Sequence, residues 1–446
     1  MNIKQAKQEI ANSLDAYLSK NEAGDYKIPR IHQRPILLMG PPGIGKTAIV
    51  EQVAREKDFA FVSYTMTHHT RQSAVGLPFI SKKEFGGESY SVTEYTMSEI
   101  IASIYDKIEK EGKKEGILFI DEINCVSETL APIMLQFLQA KAFGNHKVPD
   151  GFIIVAAGNP PEYNKSVREF DVVTRDRVRE LYIEEDFSVW KDYAYQREVH
   201  SSITSYLEIK KNDFYAIASS VDGTYYATAR GWEDLSQIIK VYQEMELPIT
   251  EELIREYINY PEIARRFANY YQLYEKYGEE YHIEQILDGA YDEATLTRAI
   301  EASFDERISV ISLILERLFD RFIEVHTIDT AVTRQFAALK KEQAACQSEQ
   351  EQAAFEEKRL AFSEEAKKRE KAIDTAQAQL KAGFAFVKKA FGTQQEMVVF
   401  LSELTRNYYS MQFISENGSE EYEELSELLL FHEERDRLLE EIKQLD

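Results

Sequence analysis

Apolar positions recur along the first 185 residues with two different periods. Ile3, Ile10, Leu14 and Leu18 fall at roughly helical spacing, so residues 3–19 read as an amphipathic helix. A turn-rich stretch follows, with Asn21–Asp25, Pro29 and Pro35. Short apolar runs then alternate with helical patterns. The runs are Ile36–Met39, Phe59–Tyr64, Ile117–Ile120 and Phe152–Ala157; the helical patterns cover 46–57, 98–112 and 127–141. Strands alternating with helices predict an α/β core whose parallel sheet is covered on both faces. Residues 70–97 break the rhythm. Gly76, Pro78, Gly86 and Gly87, with Leu77–Ile80 and Tyr90–Tyr95 on either side of the glycine pair, predict a β-hairpin inserted before a helix.

Past residue 185 the pattern is helical nearly everywhere. Residues 290–382 contain neither Gly nor Pro, and 335–382 are rich in Ala, Glu, Gln and Lys. Ile373, Leu380 and Val387 are seven apart, with Ala366 in the same register. That spacing predicts a coiled coil or helical hairpin with an Ala-rich seam, against the alternative of a single solvated helix. Tyr270, Tyr271, Tyr274 and Tyr277 recur at helical spacing and read as packing residues. Gly418 marks the only clear break in the last fifty residues.

Two motifs carry chemistry. Gly40-Pro41-Pro42-Gly43-Ile44-Gly45-Lys46-Thr47, followed by Ala48, fits G-x-x-x-x-G-K-[ST] and lies between an apolar strand and a helix. Glycines allow the backbone to wrap phosphate oxygens, and N–H groups of the loop and helix start point at negative charge. Lys46 is placed to reach the β- and γ-phosphates of ATP, and the Thr47 hydroxyl to ligate Mg²⁺. The second motif is an apolar strand ending in Asp121-Glu122. Asp121 is placed to hold the hydration shell of Mg²⁺, and Glu122 to orient and deprotonate an attacking water.

Charge then narrows the reading. The 446 residues carry a net charge of −24, which opposes a general nucleic-acid binder and an anionic membrane surface. The acid is uneven: residues 1–185 sum to −3 and the remainder to −21. A triphosphate site near the front of the chain therefore meets no strong opposing field. Two cysteines, Cys125 and Cys346, exclude a disulfide scaffold and fit a reducing compartment, although two also allow one bridge. The opening residues lack a signal-peptide apolar region, and no apolar run is long enough to span a bilayer, so a cytoplasmic location is expected. His68-His69 lacks ligand spacing to any Cys or carboxylate, and Cys125 has no evident His partner. Neither is assigned chemistry, so Mg²⁺ is the one metal expected.

Together the two motifs resemble those of AAA+ ATPases, and Asp121-Glu122-Ile123-Asn124 is similar to the sequence at this point in the MoxR-like branch. The hairpin at 70–97 matches an insertion of that branch, and Ala156-Ala157-Gly158-Asn159-Pro160 resembles its sensor strand. The resemblance implies that Asn159 is sensor 1, beside the γ-phosphate and the attacking water. It implies an arginine finger in Val173-Thr174-Arg175-Asp176-Arg177-Val178, with Arg177 the better match and Arg175 its neighbour. Asp186–Trp190 resembles the start of a helical lid, and Thr228-Ala229-Arg230-Gly231-Trp232 its sensor 2 segment, with Arg230 reading the γ-phosphate. Two departures stand out: Cys125-Val126 follows the acidic motif where relatives often carry Arg-Ala, and Ala229 replaces the usual Pro.

The organisation implied is an AAA+ core over 1–186, a helical lid with its extension over 187–330, and a helical C-terminal region over 331–446 bearing an arm at about 335–382. The function implied is an Mg²⁺-dependent ATPase working as a homo-oligomeric, hexameric ring. Its client would be a protein remodelled or matured in a chaperone-like way, in this family often together with a von Willebrand factor A domain protein. A nucleic-acid-directed motor of the restriction type and a nucleotide-gated scaffold are the competing readings.

Overall fold

The computed structural model of the chain describes residues 1–66, 74–163, 167, 170–220, 223–345 and 349–427. His68, His69 and Cys346 lie outside the described residues. The chain divides into two compact units, Met1–Val189 with Thr228–Arg230, and Trp190–Ala227 with Gly231–Asp446.

The first unit is built on a five-stranded parallel sheet. In chain order the strands of this unit are β1 (Ile36–Met39), β2 (Ala60–Thr65), β3 (Pro78–Phe85), β4 (Glu88–Tyr95), β5 (Gly116–Asp121), β6 (Ala142–Phe143), β7 (His146–Lys147), β8 (Phe152–Gly158) and β9 (Arg179–Tyr182). The sheet runs β2-β5-β8-β1-β9. Its three inner strands are buried almost throughout, whereas edge strands β2 and β9 are partly exposed. Alternate residues of the inner strands feed two separate cores. Leu37, Met39, Leu118, Ile120, Ile154 and Ala156 pack on one face with Ile100, Ile101, Ile104, Met134 and Phe137. Ile36, Leu38, Ile117, Phe119, Ile153 and Val155 pack on the other with Ile10, Leu14, Ile49, Val50 and Val53. Each such side chain, fully buried, contributes about 1.5–3 kcal/mol, so register is strongly enforced.

The covering helices are Ile3–Leu18 and Lys46–Glu56 on the second face, and Glu99–Glu111 and Ala131–Ala140 on the first. Ile3–Leu18 begins with a capping box between Asn2 and Gln5, and Ser98 caps Glu99–Glu111 by accepting from the Ile101 N–H. The expected hairpin is β3–β4, paired from Pro78↔Tyr95 to Phe85↔Glu88 around Gly86 and Gly87, both at positive φ. Three features escape the periodicity. Edge strand β9 reads Arg-Glu-Leu-Tyr, and only Leu181 is buried in it. The hairpin β6–β7 has two residues per strand. In the second unit, β10 (Ala216–Ser220) and β11 (Gly223–Ala227) pair antiparallel inside the stretch read as helical.

Otherwise the described part of the second unit is helical. Trp232, fully buried, packs edge-on against Phe267 and tilted against Tyr206. Tyr271 and Tyr274 are buried on Pro261–Tyr281, in keeping with a packing role. Two long helices follow, Phe304–Ala345 and Glu349–Phe391. Absence of Gly and Pro from nearly all of this region removes the usual interruptions. The two run antiparallel: Asp329 pairs with Arg369, and the Phe336 and Phe362 rings lie 5.9 Å apart. Gly383 admits Leu318 and Ile314 close to its backbone. A core forms from Val310, Ile314, Leu318 and Phe322 of the first helix with Leu380, Phe384 and Val387 of the second, and with Phe400 and Leu404 of Gln395–Arg406. Leu380 and Val387 of the heptad register are buried, Ala366 and Ile373 partly so. Farther along the pair, Phe336 and Leu360 are exposed at 57% and 66%. Among the described residues no helix is long and apolar enough to cross a membrane.

Candidate functional site

The carboxyl ends of three adjacent strands, β5, β8 and β1, carry the singled-out residues. Met39 pairs with Gly158, so the loop leaving β1 starts beside the residue that precedes Asn159. Ligand sites of open α/β sheets lie at such carboxyl ends. Gly43 and Gly45 take φ values of +74° and +94°, a conformation that side chains disfavour. Gly40 is close-packed: a Cβ there would lie 2.5 Å from the Ile183 carbonyl oxygen. The helix starts at Lys46, so the N–H groups of its first turn have no intrahelical acceptor.

Lys46 is buried, yet no carboxylate holds it. Its Nζ donates to the carbonyls of Gly40 and Pro41 at 2.8 Å each and to Asn159 Oδ1 at 2.9 Å. Burial pushes its pKa down to about 8, against the attraction of Asp121 and with the further repulsion of Arg230. The neighbouring Thr47 hydroxyl donates to Asp121 Oδ2 at 2.9 Å.

Beyond β5 the backbone turns sharply. Glu122 has φ +55°, its N–H donates to Asp121 Oδ1, and the Ile123 N–H donates to the Ala157 carbonyl. The turn separates the two acids: Asp121 meets Thr47, while the Glu122 carboxylate has no hydrogen-bond or ion-pair partner among the described residues. A carboxylate and a hydroxyl 2.9 Å apart are hard oxygen donors of the kind that would suit Mg²⁺. No group of three His, Cys, Asp or Glu among the described residues could hold a metal by itself.

Asn159 follows β8 and meets Lys46 directly. Asn124, buried, donates from Nδ2 to the Asn159 carbonyl at 2.7 Å and accepts from the Asn159 N–H at 3.3 Å. The sequence reading gave Asn124 no role, although it quoted the residue as the last of Asp121-Glu122-Ile123-Asn124.

The chain returns to the loop at 228–230. The Arg230 N–H donates to the Gly43 carbonyl at 3.2 Å, and a Cβ on Gly43 would come within 3.1 Å of Thr228. Ala229 in place of Pro leaves this approach intact. Arg230 is exposed at the start of helix Ala229–Glu244.

The two finger candidates differ. Arg175 donates through Nε and Nη2 to Glu180 and through Nη2 to the Tyr182 hydroxyl. Arg177 is exposed, and among the described residues its guanidinium makes no hydrogen bond or ion pair. The site thus assembles Lys46, Thr47, Asp121, Asn159 and Arg230 directly, with Glu122 at its edge. Among the described residues no hydrogen bond or ion pair joins the Arg177 guanidinium to them.

Residues 36–177 match the family model of the ATPase family associated with various cellular activities (AAA). The chain carries an AAA ATPase domain. The match runs from the first residue of β1 to Arg177, so the AAA domain contains the phosphate loop, the acidic pair and Asn159. It supports nucleotide binding and ATP hydrolysis in general. No curated protein matches the chain.

Proposed function

We propose that the chain is a MoxR-like AAA+ ATPase that hydrolyses ATP as a hexameric ring and remodels or matures a client protein. The observation that carries the chemistry is the joining of distant motifs by two hydrogen bonds, Thr47 to Asp121 and Lys46 to Asn159.

On this reading Lys46 exchanges its neutral acceptors for β- and γ-phosphate oxygens, and the N–H groups of the loop orient the triphosphate. Thr47 and Asp121 would hold Mg²⁺. The chemistry supplied there by the bound ion is neutralisation of phosphate charge. Glu122, its carboxylate unpartnered, takes the proton of the attacking water as the water oxygen bonds to the γ-phosphorus. The bond to the β–γ bridging oxygen breaks, and ADP and phosphate leave. Asn159 orients that water, and Arg230 contacts the γ-phosphate. Arg177 serves the nucleotide of a neighbouring subunit, a role supported by its exposure and by its lack of a partner among the described residues; Arg175 is already engaged.

The acidic helical half suits basic or metal-bearing client surfaces, with a von Willebrand factor A domain protein as the partner class. The pair of long helices acts as a docking arm or as a brace of the ring. The test of the chemistry is Glu122→Gln: binding of ATP is retained and turnover is abolished. Full turnover in that variant overturns the assignment.

A further inference from the structure

We infer that Asn124 is a positioning residue for ATP hydrolysis, holding Asn159 by its main chain; the inference rests on the reading of Asn159 as a sensor given above. Asn124 is 3% exposed, and its side-chain amide pairs with both main-chain groups of Asn159. A side-chain amide has the same donor and acceptor as a peptide group, so it substitutes for a neighbouring strand. That substitution is needed here. Strand β5 ends at Asp121, the backbone turns at Glu122, and the bond from the Ile123 N–H to the Ala157 carbonyl is the last main-chain contribution from this side. Asn159 lies two residues farther along, where Asn124 supplies the pairing.

The main chain of Asn159 is therefore held by Asn124, while its Oδ1 accepts from Lys46. The clamp also links Asn159 to the acidic turn, since Asn124 is two residues after Glu122. A shift of the turn carries both groups that handle the attacking water. Gly158 provides a second, independent sign of the same contact. A Cβ there would lie 2.6 Å from Asn124 Oδ1, 2.9 Å from its Cγ and 3.1 Å from its Nδ2. Gly158 is the one residue type that leaves room for the amide, and the need is space, not backbone conformation.

Asn124 touches no reacting atom, so its loss should lower turnover without weakening nucleotide binding. The experiment measures kcat for ATP and the Kd of a fluorescent ATP analogue in the full chain. The variants are Asn124→Ala, Gly158→Ala, their combination, Asn159→Ala and Glu122→Gln. Misplacement of a catalytic group by about 1 Å costs about a hundredfold. We expect kcat to fall by about ten- to a hundredfold in Asn124→Ala and in Gly158→Ala, with Kd changed less than about threefold. The combination should be no worse than either single change, because removing the amide makes room for the added methyl. Three results overturn the inference: unchanged kcat in Asn124→Ala, multiplying effects in the combination, or equal losses of kcat and affinity. Gly158→Ala decides the matter if Asn124→Ala does not fold. If Asn159→Ala and Glu122→Gln lose turnover while Asn124→Ala keeps it, the inference alone fails; if Glu122→Gln also turns over, the reading beneath it fails.

Discussion

Both units of the chain bury lysine, and Lys46 of the first and Lys191 of the second are held in opposite ways. Lys46 in the AAA domain donates to two loop carbonyls and an amide oxygen, all neutral. Lys191 in the helical unit, its side chain 3% exposed, is paired with Glu208 at 2.6 Å and Glu403 at 2.5 Å. Charge burial is tolerated in both, but its consequence differs. Two carboxylates satisfy Lys191 and leave nothing for an anion to gain. Neutral acceptors solvate Lys46 without cancelling its charge, which leaves that charge available to an anion. The arginines repeat the contrast within the AAA domain, Arg175 being held by Glu180 while Arg177 is exposed. Neutral acceptors alone do not mark a phosphate site, since Lys141, also buried, donates to the Arg30 and Gln33 carbonyls.

The largest effect that would test this contrast is on stability. Lys191→Met removes the buried cation shared by two carboxylates, of which Glu403 is 7% exposed, and leaves Glu208 with Lys211 and Glu403 with Arg406. Breaking such a buried pair costs about 3–5 kcal/mol, measured as a lower midpoint of urea unfolding in the helical unit. Replacing Lys191, Glu208 and Glu403 together by Met, Gln and Gln should recover most of it. An unchanged midpoint in Lys191→Met would remove the structural role.

The next effect is on turnover. Arg177→Ala should lower kcat by about a hundredfold, the scale of one lost transition-state donor, with ATP binding kept. Arg175→Ala, which breaks a half-exposed pair, should cost no more than about 1 kcal/mol of stability and leave kcat near its original value. The reverse ranking would exchange the two assignments.

The smallest effect is a pH dependence of binding. The ligand-free Lys46 loses its proton near pH 8, whereas phosphate holds the ammonium charged. Binding therefore takes up a proton above that pH. Affinity for an ATP analogue should fall by up to about tenfold per pH unit above 8 and stay level just below it. Affinity unchanged between pH 8 and 9.5 would contradict the depressed pKa.

Much of the AAA domain was legible because its signals are local. Strands β1, β5 and β8 are buried on both faces and so read as continuous apolar runs. The phosphate loop declares itself through glycines required at positive φ, and the hairpin β3–β4 through its two glycines. Edge positions were not legible. Strand β9 buries one residue of four, and β10–β11 holds Tyr225 and Tyr226 in a stretch whose surroundings are helical. The heptad register was legible at Leu380 and Val387, but where the helix pair leaves its core was not, because burial there depends on Phe400 and Leu404 from another helix.

By itself the sequence determined the chemistry available: a phosphate loop, two carboxylates after a buried strand, and a set of candidate arginines. These depend on residue type and short spacing. Only the tertiary structure decided which charges are cancelled and which are free, because Lys46 and Lys191, or Arg175 and Arg177, are the same residue types until their partners fold around them. It also decided the place of Asn124. An amide can mimic a missing strand only once β5 has ended, β8 has run on and Gly158 has left room.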